Sequence, residues 1–280
     1  MKNNYLDNFI QNALDEDIGD GDFTSLSCIP ETKTGKARLI AKEKGIIAGT
    51  KLAGQIFQKL DPNLLLDILI KDGSSVKEGD IVFIITGKVL SILKGERLIL
   101  NIMQRMSGIA TQTNIYVEKI RDLNTKILDT RKTTPGLRFL EKEAVRIGGG
   151  YNHRMGLYDM IMIKDNHIDF AGNIEKAINA THKFLKEKGK NLKIVIEARN
   201  LKDVRKIIDH GGIDRVLLDN FSVIDTGTAV DLINRKFETE SSGGITLNNV
   251  RDYAECGVDY ISIGALTHQI KSMDMSLKAM

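Results

Sequence analysis

Apolar positions along this chain follow two rhythms, and the change between them divides it. Near the N-terminus, residues 6–14 carry the spacing of a short amphipathic helix, followed by an acidic, glycine-punctuated turn over 15–22. Short apolar runs at 36–41, 45–49, 64–70 and 81–89 are bounded by Gly, Asp and Ser and predict strands, with a helix over 52–60 between them. The stretch 72–80 predicts a structural hairpin. Strands gathered this way predict a small antiparallel sheet with helices on one side, an α+β module.

From 94 to about 123 one apolar face is marked by Leu98, Ile102, Met106 and Ile109, which predicts a long helix interrupted at Gly108. Short apolar strands then alternate with helices. Strands are expected at 126–128, 160–163, 194–196, 215–218, 236–239 and 260–263, and helices near 137–147, 174–188, 201–209, 223–233 and 247–255. That βα alternation predicts a parallel sheet closed or nearly closed into a barrel.

Composition narrows the function without naming it. A chain of 280 residues suits one large barrel or two domains. Its 40 basic and 37 acidic residues nearly cancel to +3, and with no tryptophan it offers neither the charge nor the stacking platforms of a nucleic-acid binder. Cys28 and Cys256 lack metal-ligand spacing and are expected to be two buried thiols. Residues 1–19 are acidic and lack the apolar core of a signal peptide, and no apolar stretch reaches bilayer length, so a soluble cytoplasmic protein is expected.

The polar residues after each barrel strand change the picture. Arg131 and Lys132 follow the first strand and Lys164 the second, with His153 and Arg154 between them beside a glycine run. Arginine and lysine clustered at apolar strand ends imply an anionic ligand, because such side chains are rarely buried without a partner. Glu197 and Asp219 end the next two strands; they suit either Mg2+ or ion pairs with Arg131, Lys132 or Lys164. Ser242-Gly243-Gly244 and Gly264-Ala265 follow the last two, where backbone amides commonly hold a phosphate in barrels, although turns also need glycine. His167 suits loop structuring as well as binding, while His182, His210 and His268 are expected to be structural. The whole reads as a cradle for a small, highly charged molecule.

Taken in order, these strings resemble the quinolinate phosphoribosyltransferase family. The resemblance runs from Glu16-Asp17-Ile18-Gly19 through Glu96-Arg97 and Ser107-Gly108-Ile109-Ala110-Thr111 to Asp129-Thr130-Arg131-Lys132-Thr133-Thr134-Pro135-Gly136. It continues through Gly148-Gly149-Gly150-Tyr151-Asn152-His153-Arg154, Ile163-Lys164-Asp165-Asn166-His167, Leu218-Asp219-Asn220, Ser242-Gly243-Gly244 and Gly264-Ala265-Leu266-Thr267-His268. It implies an N-terminal α/β sandwich domain over 1–110 and an open α/β barrel over 111–280, whose C-terminal tail packs back on the first domain. It also implies a homodimer, or a higher assembly of dimers, with shared active sites.

The implied reaction joins quinolinate to phosphoribosyl pyrophosphate with Mg2+, giving nicotinate mononucleotide, pyrophosphate and CO2. On this resemblance Arg131, His153, Arg154 and Lys164 bind quinolinate's carboxylates, and Arg97 reaches the site from the partner subunit. Lys132, Lys164, Glu197 and Asp219 surround the phosphoribosyl pyrophosphate and its metal, the last two as metal ligands. Ser242, Gly243, Gly244, Gly264 and Ala265 hold phosphate. One departure is that Val195 and Arg199 stand where the family often has acidic neighbours of Glu197. Competing readings are a relative acting on another pyridine and a non-catalytic phosphosugar-binding barrel. Two carboxylate pockets favour quinolinate, and the set Lys132, Lys164, Glu197 and Asp219 favours an enzyme.

Overall fold

The structure is a computed structural model describing residues 2–280. In chain order the elements are α1 (Lys2–Ile18), α2 (Phe23–Cys28), β1 (Thr34–Ala41), β2 (Gly45–Ile46), α3 (Thr50–Leu60), β3 (Leu65–Ile68), β4 (Ser75–Val76), β5 (Ile81–Lys88) and α4 (Val89–Lys119). Then come β6 (Lys126–Leu128), α5 (Arg138–Ile147), β7 (Ile161–Ile163), α6 (Asp165–Ala171), α7 (Ile174–Glu187), β8 (Ile194–Ala198) and α8 (Leu201–His210). The chain ends with β9 (Arg215–Asp219), α9 (Val223–Ile233), β10 (Glu238–Ser242), α10 (Val250–Glu255), β11 (Tyr260–Ser262), α11 (Ala265–His268) and β12 (Met275–Ala279). Two compact units result: residues through Gln112 together with Ile270–Met280, and Thr113–Gln269.

In the first unit an antiparallel sheet has the order β12-β1-β5-β3. Alternation in β1 buries Ala37, Leu39 and Ala41, and Leu39 faces Leu277 on one side and Phe83 on the other. The buried stripe of α3, with Leu52, Ala53, Ile56 and Phe57, lies at helical spacing, and the Phe57 ring meets Phe83 edge-on at 6.1 Å. Ser75–Val76 pairs with β2 across 29 residues rather than forming its own hairpin, since Gly73 and Gly79 turn the chain on either side of it. Helix α4 is unbroken at Gly108. A Cβ there would lie 2.3 Å from the Lys271 carbonyl oxygen, so the glycine serves the close passage of another chain segment, not a break.

The second unit is built on a parallel sheet of order β6-β11-β10-β9-β8-β7. Its terminal strands β6 and β7 do not pair with each other among the described residues, which makes it an open α/β barrel. Strands β8 and β9 are almost wholly buried and carry the apolar runs Ile194–Ile196 and Val216–Leu218, with charged residues only at or next to their ends. Side chains of Asn173, Asn200 and Ser222 accept backbone N–H groups in the first turns of α7, α8 and α9, starting each helix just past a strand or loop.

Three sequence expectations change here. The strand expected at 236–239 runs over Glu238–Ser242, because Glu240, a charge that reads as loop, is wholly buried and receives a 2.8 Å hydrogen bond from Arg215. The thiols expected to be buried are not, since Cys28 is exposed and Cys256 half-buried. Residues after Lys164 form α6 rather than a loop, with His167 Nδ1 accepting the Lys164 N–H at 3.0 Å. No helix among the described residues is long and apolar enough to cross a membrane.

Candidate active site

Parallel strands place all their C-terminal ends on one face, and in this barrel those ends line a cavity of about 810 Å³. Of the residues expected in the site, Arg131, Lys132, His153, Arg154, Lys164, Glu197, Asp219, Ser242, Gly243, Gly244, Gly264 and Ala265 all line it. Arg97 does not. It is exposed on α4 in the first compact unit.

The loop after β6 brings Arg131 and Lys132 to the cavity with exposed side chains. Arg138 ties this loop down, donating through Nε to Thr133 Oγ1 at 2.9 Å and through Nη1 to the Met155 carbonyl at 3.0 Å. Thr267 Oγ1 donates to the Lys132 carbonyl at 2.8 Å, which couples the first and last strand ends. Gly264 leaves room for the stem of Lys132: a Cβ at Gly264 would stand 3.0 Å from both Lys132 Cδ and His268 Nε2. His268, expected to be structural, therefore sits on the cavity wall.

Arg154 is only 9% exposed, and its guanidinium donates to the Met160 carbonyl at 3.3 Å. Burial, then the neighbouring Arg131 charge, push its pKa below the ordinary arginine value. Two cations held this close favour an anion between them. His153 behaves differently from Arg154. Its Nδ1 accepts the Arg154 backbone N–H at 2.7 Å, and its Nε2 lies 3.3 Å from Glu240 Oε2, so both ring nitrogens face protein groups.

Lys164 Nζ pairs with Glu197 Oε1 at 3.2 Å, while Glu197 Oε2 accepts the Asp165 N–H at 3.0 Å. Burial and the Glu197 charge raise the Asp219 pKa above the usual aspartate value, against the pull of Lys164. Two carboxylates near enough to repel each other suit a hard divalent cation, which takes one or two carboxylates and completes its shell with water and phosphate oxygens. Among the described residues no group of three or more His, Cys, Asp or Glu could hold a metal, so protein ligands alone do not form a closed cage. Val195 is buried in the core, and Arg199 pairs with Asp169 at 3.0 Å and Asp203 at 3.3 Å, outside the cavity lining.

At the end of β10, Gly243 has φ +93°, and a Cβ on it would lie 2.2 Å from Asn220 Oδ1. Asn220 itself is left-handed, at φ 55°; its N–H donates to the Ser242 carbonyl at 2.8 Å and its side-chain amide to Asp219 Oδ2 at 2.9 Å. Asn220 thereby joins the glycine loop to the acidic pair. Glu240, Asn220 and His268 were given no site role by the sequence, although Asn220 and His268 lie within the motifs of the family resemblance; the contacts of Glu240 and Asn220 here are with residues far away in the chain.

The quinolinate phosphoribosyl transferase family matches this chain twice, its N-terminal domain over residues 22–107 and its C-terminal domain over 109–278. Quinolinate phosphoribosyltransferase [decarboxylating] 1 of Nicotiana glauca is 45% identical over 98% of this chain and 82% of its own length. The probable nicotinate-nucleotide pyrophosphorylase [carboxylating] of Bacillus subtilis is 44% identical over 94% of this chain and 89% of its own. The solved nicotinate-nucleotide pyrophosphorylase of Francisella tularensis superposes with a TM-score of 0.93 at 40% identity, covering 99% of this chain and 97% of that one.

Proposed function

The chain belongs to the quinolinate phosphoribosyltransferase family, and on that premise we propose how its cavity carries out the family's reaction. It joins quinolinate to phosphoribosyl pyrophosphate, releasing pyrophosphate and CO2 and leaving nicotinate mononucleotide, a step of NAD biosynthesis. The observation that carries the site assignment is the convergence of Arg131, Arg154 and Lys164 with the Glu197–Asp219 pair and two glycine loops on one cavity.

Quinolinate's two carboxylates are received by Arg131 and Arg154, with Lys164 beside them. Lys132 and Lys164 face the pyrophosphate, and the amides of Ser242, Gly243, Gly244, Gly264 and Ala265 hold phosphate. Glu197 and Asp219 would hold Mg2+, which supplies charge neutralisation to the pyrophosphate leaving group. As the C1′–oxygen bond to pyrophosphate breaks, the pyridine nitrogen donates its lone pair to C1′. The resulting pyridinium is an electron sink, so the adjacent C–CO2 bond breaks with its electron pair left on the ring carbon, which then takes up a proton. No covalent enzyme intermediate is required; holding two polyanions in register does most of the work.

A cytoplasmic homodimer with shared sites is part of this reading, the sharing supported by the exposed place of Arg97 outside the cavity lining. The test incubates purified protein with Mg2+, phosphoribosyl pyrophosphate and quinolinate, following CO2 and nicotinate mononucleotide. Product from nicotinate without CO2 would assign another pyridine, and binding without turnover would assign a silent phosphosugar binder.

A further inference from the structure

We propose that Glu240 is a positioning residue that fixes the tautomer of His153 and, through His153, places Arg154 in the carboxylate pocket. This rests on the reading that Arg154 receives a quinolinate carboxylate. Glu240 is 0% exposed in the middle of β10, and His153 is 8% exposed on the loop before β7. Nothing in their sequence separation of 87 residues connects them; the barrel does.

The chemistry leaves one protonation state. A backbone N–H can donate only to an unprotonated ring nitrogen, and Arg154 N approaches His153 Nδ1 at 2.7 Å. At the opposite nitrogen, 3.3 Å away, stands a carboxylate oxygen, which can only accept. The neutral Nε2–H form suits both: Nδ1 accepts the Arg154 N–H, and Nε2–H faces the carboxylate at ion-pair distance without reaching hydrogen-bond geometry. Glu240 is compensated in this buried place by Arg215, whose Nη1 donates to the same Oε2 at 2.8 Å.

The other charged groups around His153 act on its backbone: Asp129 Oδ1 accepts its N–H at 2.9 Å, and Lys142 Nζ donates to its carbonyl at 3.0 Å. At the ring itself the charged group in contact is Glu240. With the proton moved to Nδ1, ring and Arg154 N–H would oppose each other, and the 153–154 backbone would move with Arg154. His153 in this arrangement acts through Arg154, and its role differs from that of a cation touching substrate.

Two variants of the ring separate those roles. In His153→Asn the amide oxygen stands near the Nδ1 place and can accept the Arg154 N–H, whereas His153→Phe offers no acceptor. Positioning predicts that the Phe variant raises the KM for quinolinate about tenfold or more, the loss of roughly one hydrogen bond to a charged site, with the KM for phosphoribosyl pyrophosphate unchanged. The Asn variant should restore most of that loss. Equal losses in both variants would overturn the proposal in favour of direct contact.

Nitrogen-15 NMR of the His153 ring gives a readout independent of turnover. A protonated Nε2 and bare Nδ1 at neutral pH are expected in the unaltered chain, and Glu240→Leu should abolish that preference. Glu240→Gln keeps an oxygen for Arg215 and His153 and should retain it, which covers a misfolded Leu variant. An imidazolium, or an Nδ1–H ring, in the unaltered chain would also overturn the proposal. If the unaltered chain does not turn over quinolinate, the functional reading fails, and the NMR result still decides the dyad.

Discussion

Lys142 buries its ammonium against the Asp129 carboxylate, with both side chains almost wholly closed to solvent. Burial pushes the Asp129 pKa up and the Lys142 pKa down, and each charge opposes the shift of the other. The pair grips His153 from both sides, through its N–H and its carbonyl, and Asn152 donates both to Asp129 and to the Lys142 carbonyl. A buried ion pair therefore sets the backbone that presents Arg154.

Removing one partner leaves a buried charge uncompensated. Lys142→Met is expected to lower the unfolding free energy by about 3–5 kcal/mol in urea titrations. A change within about 0.5 kcal/mol, the scale of an exposed substitution, would show that the pair carries no structural load.

The acidic pair has the opposite sign. Asp219's native pKa is raised, so its contribution to stability is fully present below the unfolded aspartate value and is lost as pH rises through the native one. Metal-free Asp219→Asn at neutral pH should thus melt about 2–4 °C higher, the effect of roughly 1 kcal/mol in a domain of this size, while losing activity. The gap should close toward about pH 4. A lower melting temperature at neutral pH would contradict the account.

Neighbouring glycines make a matched contrast. Gly243→Ala would drive a methyl into Asn220, 2.2 Å from its Oδ1 and 3.0 Å from its backbone nitrogen, and is expected to raise the KM for phosphoribosyl pyrophosphate about tenfold or more. Gly244 has φ +62° with nothing within 4 Å of an added Cβ, so Gly244→Ala meets only backbone strain of about 1 kcal/mol. Steady-state kinetics on the two variants compares them directly; equal effects would dismiss the Asn220 contact.

Sharing of the site between subunits is tested by complementation. Arg97→Ala and Lys164→Ala proteins should each be inactive, yet mixed dimers place both changes in one site and leave the other intact. With half the dimers mixed, about a quarter of the unaltered activity should return. Inactivity of verified mixed dimers would place Arg97 outside the site.

Some of this was open to reading along the chain. The βα rhythm of short apolar strands is local in origin, because a strand buried on both faces must be apolar over its own few residues. Cations following those strands were equally visible, since chain order alone puts Arg131, Lys132 and Lys164 after their strands. Local polarity misled at Glu240, which looks like a loop residue until Arg215 stands beside it, and at Gly108, which looks like a helix break until Lys271 passes it.

The sequence by itself therefore determined the barrel's alternation of strands and helices, its parallel sheet and the set of charged strand ends, all consequences of spacing within a few residues. Tertiary structure alone decided which charges meet: Lys142 with Asp129, Lys164 with Glu197, Arg215 and His153 with Glu240. Coulomb interaction and burial depend on distance in space, and closing the strands side by side is what makes residues tens of positions apart into neighbours.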